Sequence, residues 1–147
     1  MSTVKIEVFI ARPPDEVFSY LRDYANQRIW QAGNLIELAV EPPEPAKAGT
    51  HIHKVRRTPG GELQFTMEIT EMDESARRWT ENTTTSYMRG TKAMWQILPE
   101  SAGSRVKHTV EFNVTGFWKL LLPVIASSAR KDFESEFANL KKILESI

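Results

Sequence analysis

The sequence predicts an α+β fold in which one long helix near the C-terminus lies across the face of an antiparallel sheet. Three observations carry that prediction. Period-2 alternation of apolar and polar residues fills the stretch from about residue 35 to residue 114, while helical spacing is confined to residues 14–31 and 116–147. The last thirty or so residues form an amphipathic helix with no helical partner of comparable length, so its apolar stripe has to rest on the sheet. A long helix laid over a curved sheet tends to leave a hollow beneath it, and that hollow is the clue to function.

The elements follow in order. Val4, Ile6, Val8 and Ile10 alternate with Lys5, Glu7 and Phe9, the pattern of a half-buried strand. Arg12-Pro13-Pro14 stops it, since proline donates nothing to a ladder. Pro14 suits the first turn of a helix, and Asp15 and Glu16 favour its positive end. Val17, Phe18, Leu21 and Tyr24 carry that helix to about Asp23, and a second short helical piece spans roughly 25–31, ended by Gly33-Asn34. Residues 35–40 read as a strand, and 41–49 as a loop stiffened by three prolines that borders the binding region.

Strands are then predicted over 51–57, from Leu63 through Ile69, over 78–86, over 87–98 and from Val106 to Val114. Gly90 marks a bulge or a close approach of backbone. The closing helix starts near Gly116 with Ile125, Ala129, Phe133, Phe137, Leu140 and Leu144 on one face. Pro123 should kink it or separate its first turn from the rest. With no linker and no repeats, residues 1–147 form one domain of meander-like connectivity.

Composition excludes several function classes. Nineteen Lys and Arg balance nineteen Asp and Glu, and a pI near 6.8 argues against nucleic-acid binding. The absence of cysteine removes disulfides, thiolate metal sites and a cysteine nucleophile. The N-terminus lacks the charged-then-apolar layout of a secretion signal, and Phe117–Ala126 is too short to span a bilayer. A cytoplasmic protein without stable membrane association, monomeric or homodimeric, is the expectation. Hydrolase and nucleotide motifs such as Gly-x-Ser-x-Gly are missing.

The residues then resemble a known superfamily. The opening strand followed by Ala11-Arg-Pro-Pro-Asp-Glu-Val-Phe18 is similar to the start of the SRPBCC superfamily. Gly103-Ser-Arg-Val-Lys-His-Thr-Val-Glu-Phe112 resembles its late strand, and Leu120-Leu-Leu-Pro-Val-Ile125 with Phe137-Ala-Asn-Leu-Lys-Lys-Ile143 resembles its tail. The resemblance covers the whole chain and lies closest to the polyketide cyclase/dehydrase-like branch, relatives of START lipid-transfer domains and the major birch-pollen allergen. It implies the helix-grip fold: a curved seven-stranded antiparallel sheet around a long C-terminal helix, two short helices after strand 1, and an internal cavity. These motifs are structural, and the superfamily hosts carriers, receptors and cyclases alike.

Candidate site residues follow from strand parity. Leu63, Phe65, Met67 and Ile69 face inward; so do Trp79, Glu81 and Thr83, and Tyr87, Arg89, Thr91, Ala93, Trp95 and Ile97, unless a bulge at Gly90 reverses part of that strand. Trp30, Phe65, Met67, Trp79, Tyr87, Trp95, Ile125, Ala129 and Phe133 are the candidate ligand wall, though core packing is the plainer reading of the tryptophans and Phe65. Arg89 and Glu81, as inward charges, either pair with each other or emerge at the mouth, or else act on a ligand, Arg89 polarising a carbonyl or anchoring a carboxylate and Glu81 serving as base. His108 is an interior histidine or a cavity acid/base. His51 and His53 share a strand face but lack further ligands, so no metal and no cofactor is expected. Arg56-Arg57 and Arg77-Arg78 read as a solvated rim, and Phe117 to Ile125 with the proline loop as a movable gate or plain core. Binding or carriage of a hydrophobic, aromatic or lipid-like molecule is the favoured function. A cyclase, dehydratase or aromatase using Arg89 with Glu81 or His108 is the alternative, and a protein-contact module with an incidental cavity is the third.

Overall fold

In the computed structural model, which describes residues 2–147, the strands are β1 (Ser2–Ile10), β2 (Leu35–Glu41), β3 (His51–Thr58), β4 (Gly61–Asp73), β5 (Arg78–Thr83), β6 (Lys92–Glu100) and β7 (Gly103–Phe112). The helices are α1 (Pro14–Arg22), α2 (Gln27–Trp30, entered through a 3-10 turn at Tyr24–Asn26) and α3 (Leu122–Glu145). All seven strands form one antiparallel sheet in the order β1-β7-β6-β5-β4-β3-β2. Apart from β1 the order is a plain meander. Register shifts at Leu35/Glu37 in β2 and Ile69/Glu71 in β4 add residues to one strand and bend the sheet.

The alternation seen in β1 and β7 is realised with the expected faces. Val4, Ile6 and Ile10 are buried, and so are Val106, His108, Val110 and Phe112. Pro123 sits in the first turn of α3, where its missing N–H matters least, and a 3-10 segment at Gly116–Leu121 precedes it. The proline therefore separates rather than kinks. α3 packs along β1 and is tied to it by Lys141 Nζ donating to the Phe9 carbonyl at 2.7 Å and by the Ala11 amide donating to Glu145 at 2.8 Å.

The helix is not held evenly along its length. Phe137, Leu140 and Leu144 are fully packed, whereas Ile125, Ala129 and Phe133 are only half-buried. The C-terminal half of α3 rests on a filled core, and the N-terminal half roofs a hollow.

Two predicted boundaries are corrected. β5 ends at Thr83 and β6 begins at Lys92, so residues 84–91 are a loop instead of strand. The loop is pinched at its base, where the Gly90 and Thr83 amides donate to Thr83 and Thr91 carbonyls, each at 2.9 Å. Gly90 has φ +90, and a Cβ there would stand 2.5 Å from Asn113 Nδ2. The proline loop lies outside the cavity lining and is anchored where it ends: Ala46 is fully buried, its amide donates to the Arg22 carbonyl at 2.8 Å, and its carbonyl accepts from the Arg22 guanidinium.

Candidate functional site

The hollow under α3 is a cavity of about 410 Å³. Its walls come from the inward faces of β3 to β7 and from the N-terminal half of α3, with Phe65, Met67, Trp95, Ile125, Ala129 and Phe133 supplying apolar surface. The mouth lies between the β3–β4 turn at 57–60, the 84–91 loop and the start of α3. Tyr87 from that loop stacks on Trp118 from the 3-10 segment, ring centroids 4.0 Å apart, and both line the opening. Phe117, Leu120 and Val124 are exposed beside it. A wider trough of about 980 Å³, more open than the cavity under α3, runs over α2 and β2 to β4.

One end of the cavity is polar. Gln27, Gln31, Lys54, Glu81, Trp95 and His108 are all at least nine-tenths buried and all line it. Glu81 Oε2 accepts a hydrogen bond from the Tyr24 hydroxyl, which itself accepts from Trp79 Nε1 at 2.8 Å. Burial pushes the Glu81 pKa up, while Lys54, Tyr24 and Trp95 pull it back. Tyr24 is held well above its ordinary value by burial and by the neighbouring Glu81 charge. His108 lies against the Trp95 ring, centroids 3.9 Å apart. Burial drives its pKa down to about 3, with the Met94 backbone opposing and Lys54 adding to the drop, so it is neutral at physiological pH.

Lys54 Nζ reaches Gln31 Oε1 at 3.3 Å, an oxygen that Arg56 already occupies at 2.7 Å. Among the described residues no carboxylate oxygen lies within 4.0 Å of it. Burial and then the Arg56 charge lower its pKa to about 8, against weaker support from Glu81 and Glu136. Beside it, Arg56 pairs with Glu136 on α3 at 2.6 Å, and Asn34 donates to the same carboxylate at 3.0 Å. Three polar atoms on the cavity wall have no protein partner: Gln27 Oε1, Trp95 Nε1 and His108 Nδ1. Trp95 Nε1 lies near enough to Glu81 to affect that carboxyl without forming a well-aligned hydrogen bond with it. A molecule with a polar end would meet these groups first.

Among the residues singled out from sequence, Glu81, His108, Phe65, Met67, Tyr87, Trp95, Ile125, Ala129 and Phe133 line this cavity. Arg89 does not. It is exposed on the 84–91 loop, where its carbonyl accepts from Asn113, because the loop breaks the parity that would have turned it inward. Trp30 and Trp79 are buried, at 2 % and 1 % exposure, behind the wall: Trp30 packs edge-on to Trp95 and Phe137, and Trp79 stacks on Trp95. Of the arginines expected at a solvated rim, Arg57 and Arg78 are exposed, while Arg56 and Arg77 are half-buried, each in an ion pair. Lys54, Gln27, Gln31 and Tyr24 are site residues that the sequence reading did not single out. His51 is exposed, and half-buried His53 bonds Thr66 at 2.9 Å and Glu41 at 3.1 Å. Among the described residues there is no group of three or more metal-ligating side chains, and no helix long and apolar enough to cross a membrane.

Comparison with known proteins gives a consistent picture. The polyketide cyclase / dehydrase and lipid transport family matches residues 1–145. No curated protein matches the sequence significantly. Among solved structures, a Thermus thermophilus protein is similar with TM-score 0.84 and 22 % identity, over 99 % of this chain and 98 % of that one. A START superfamily protein from Mycobacterium smegmatis is similar with TM-score 0.77 and 12 % identity, over 98 % and 97 %. The major latex-like protein 151 of Panax ginseng is similar with TM-score 0.75 and 10 % identity, over 97 % of both chains. At these identities the likeness is one of fold, and the fold is the helix-grip arrangement of a curved sheet around a long helix.

Proposed function

We propose, from the premise that the chain belongs to the polyketide cyclase / dehydrase and lipid transport family, that it binds a hydrophobic small molecule with one polar end inside the cavity under α3. The supporting observation is the partly enclosed cavity itself, about 410 Å³, which falls within the ~300–1,000 Å³ of typical small-molecule sites. Its apolar walls would hold the body of the ligand by removing it from water. Gln31, Lys54, Trp95 and His108 would receive its polar end. The Tyr87–Trp118 stack would open for entry and close behind.

Turnover of the ligand, as in a cyclase or dehydratase, is a second reading. It is favoured by the buried Tyr24–Glu81 pair on the cavity side of β5, a carboxyl whose pKa burial raises and which stands where it could exchange a proton with a ligand. Arg89 takes no part in it.

The test uses N-phenyl-1-naphthylamine, a neutral fluorophore that brightens out of water. Wild-type protein should bind it saturably at one site, and Ala129→Trp, which fills the space beneath α3, should abolish binding while the circular dichroism spectrum is retained. Absence of saturable binding by folded wild-type protein, or equal binding by Ala129→Trp, would sink the proposal.

A further inference from the structure

The side chain that ordinary packing least explains is Lys54. A lysine is rarely buried unless its ammonium is paired, yet Lys54 is 6 % exposed and, among the described residues, its ammonium has one hydrogen-bond partner, a shared oxygen at 3.3 Å. β3 carries it on the same face as buried Ile52 and opposite Phe65 of β4, so its stem runs inward rather than out to solvent. It lines the cavity together with Glu81 and His108, and both feel its charge. The charged groups facing it are Arg56 from its own strand, Glu81 from β5 and Glu136 from α3, with His108 of β7 neutral. Glu136 is already committed to Arg56, and Glu81 to Tyr24.

Desolvation in an apolar pocket and an adjacent cation are the two influences that turn a lysine from an ammonium into a nucleophilic amine. Both act on Lys54. We propose that Lys54 forms a reversible imine with a hydrophobic aldehyde or ketone held in the cavity. This deepens the ligand-binding reading above and rests on it. In the step, the neutral amine's lone pair adds to the carbonyl carbon, and the carbonyl π electrons move to oxygen, which takes up the proton shed by nitrogen. After a second proton arrives, the remaining nitrogen lone pair expels that oxygen as water and leaves a C=N bond. Glu81 stands at the same end of the cavity as the carboxyl able to carry those protons. No oxidant or reductant is consumed, and the step reverses by hydrolysis. Once protonated, the imine acidifies the neighbouring C–H, which is what a condensation or ring closure requires.

At pH 7 a lysine with a pKa of about 8 holds on the order of a hundredfold more neutral amine than one at the ordinary value. The experiment incubates the folded protein with 2-naphthaldehyde and sodium cyanoborohydride, which reduces the imine to a stable secondary amine. Adducts are then located by peptide mass mapping, and displacement of N-phenyl-1-naphthylamine is followed in parallel. The expected result is one dominant adduct on Lys54, formed at least about tenfold faster than at any other lysine and accelerating as pH rises toward 8. Lys54→Arg and Lys54→Met, confirmed folded by their melting curves, should lose that adduct. If 2-naphthaldehyde displaces the fluorophore but labels lysines indiscriminately, the imine is refuted and the cavity reading survives. If neither fluorophore binding nor Lys54 labelling is seen, both fall.

Discussion

Replacing Lys54 with methionine should make the protein more stable, and the gain should depend on pH in a defined direction. Lowering the native pKa from 10.5 to about 8 corresponds to about 3 kcal/mol of destabilisation at neutral pH, at about 1.4 kcal/mol per pH unit. Between pH 8 and 10.5 the unfolded chain keeps this proton while the native state has released it, so wild-type stability rises with pH across that window. The burden is complete below about pH 8 and gone above 10.5. Methionine has nearly the same length and no charge, so Lys54→Met lifts the burden and loses only the weak contact to Gln31, which Arg56 continues to hold. A net gain of about 2 kcal/mol at pH 7 is expected, or roughly 4–8 °C in melting temperature for a domain of this size. Urea unfolding of both proteins at pH 7 and pH 9.5, followed by tryptophan fluorescence, measures it. The variant's advantage should be largest at pH 7 and shrink at pH 9.5. A variant less stable than wild type at pH 7, or an advantage indifferent to pH, would show that the ammonium is well accommodated and would remove the reason to regard it as reactive.

Three further outcomes are expected. His108 has a native pKa of about 3 against an ordinary 6.5, so the unfolded state takes up a proton that the native state refuses. Stability is whole above pH 6.5 and falls as pH drops toward 3, by about 2 kcal/mol at pH 5; His108→Phe should flatten that part of the profile in denaturant titrations. Glu136→Leu leaves the half-buried Arg56 guanidinium without its carboxylate and should cost about 2 kcal/mol, with the double variant Arg56→Met/Glu136→Leu recovering much of it in a double-mutant cycle. Gly90→Ala forces a side chain into a backbone at φ +90 and toward Asn113; a loss of about 1–2 kcal/mol should appear together with faster amide exchange at Thr91, which closes the loop on Met88.

The strand alternation in β1, β4 and β7 made most of the sheet legible, because one face of each is buried and a period-2 pattern has few alternatives. The helix stripe of α3 was equally plain. What escaped was the 84–91 loop. Thr83-Thr84-Thr85-Ser86-Tyr87 is built of residues favoured in strands, and its turn is made by Ser86 at φ 71 and Gly90 at φ 90, of which only Gly90 is visible as a signal. Extending parity through it carried Arg89 inward on paper. Lys54 escaped for the opposite reason. Ile52, Lys54 and Arg56 share a face, and two charges in three positions look like the solvent side. The clue lay in the partner strand, where Phe65 and Leu63 stand directly opposite Lys54 and Arg56, but register across a hairpin has to be fixed before that clue can be used. Trp30 and Trp79 were rightly expected inside; parity alone does not say which buried aromatic touches the hollow and which supports it from behind.

The one break in the meander has a kinetic implication. β1 is held by β7 on one side and by α3 above, so the first nine-residue strand finds both neighbours only after most of the polypeptide has emerged. Pairings across such long stretches of chain are slow to form. The hairpins from β2 through β7 can zip up locally, leaving a half-made shell whose greasy lining faces water. Sealing of that shell waits for the two extremities of the chain to meet, which makes closure a late, single event in biogenesis and the stage at which a chaperone or an early-arriving ligand would matter most.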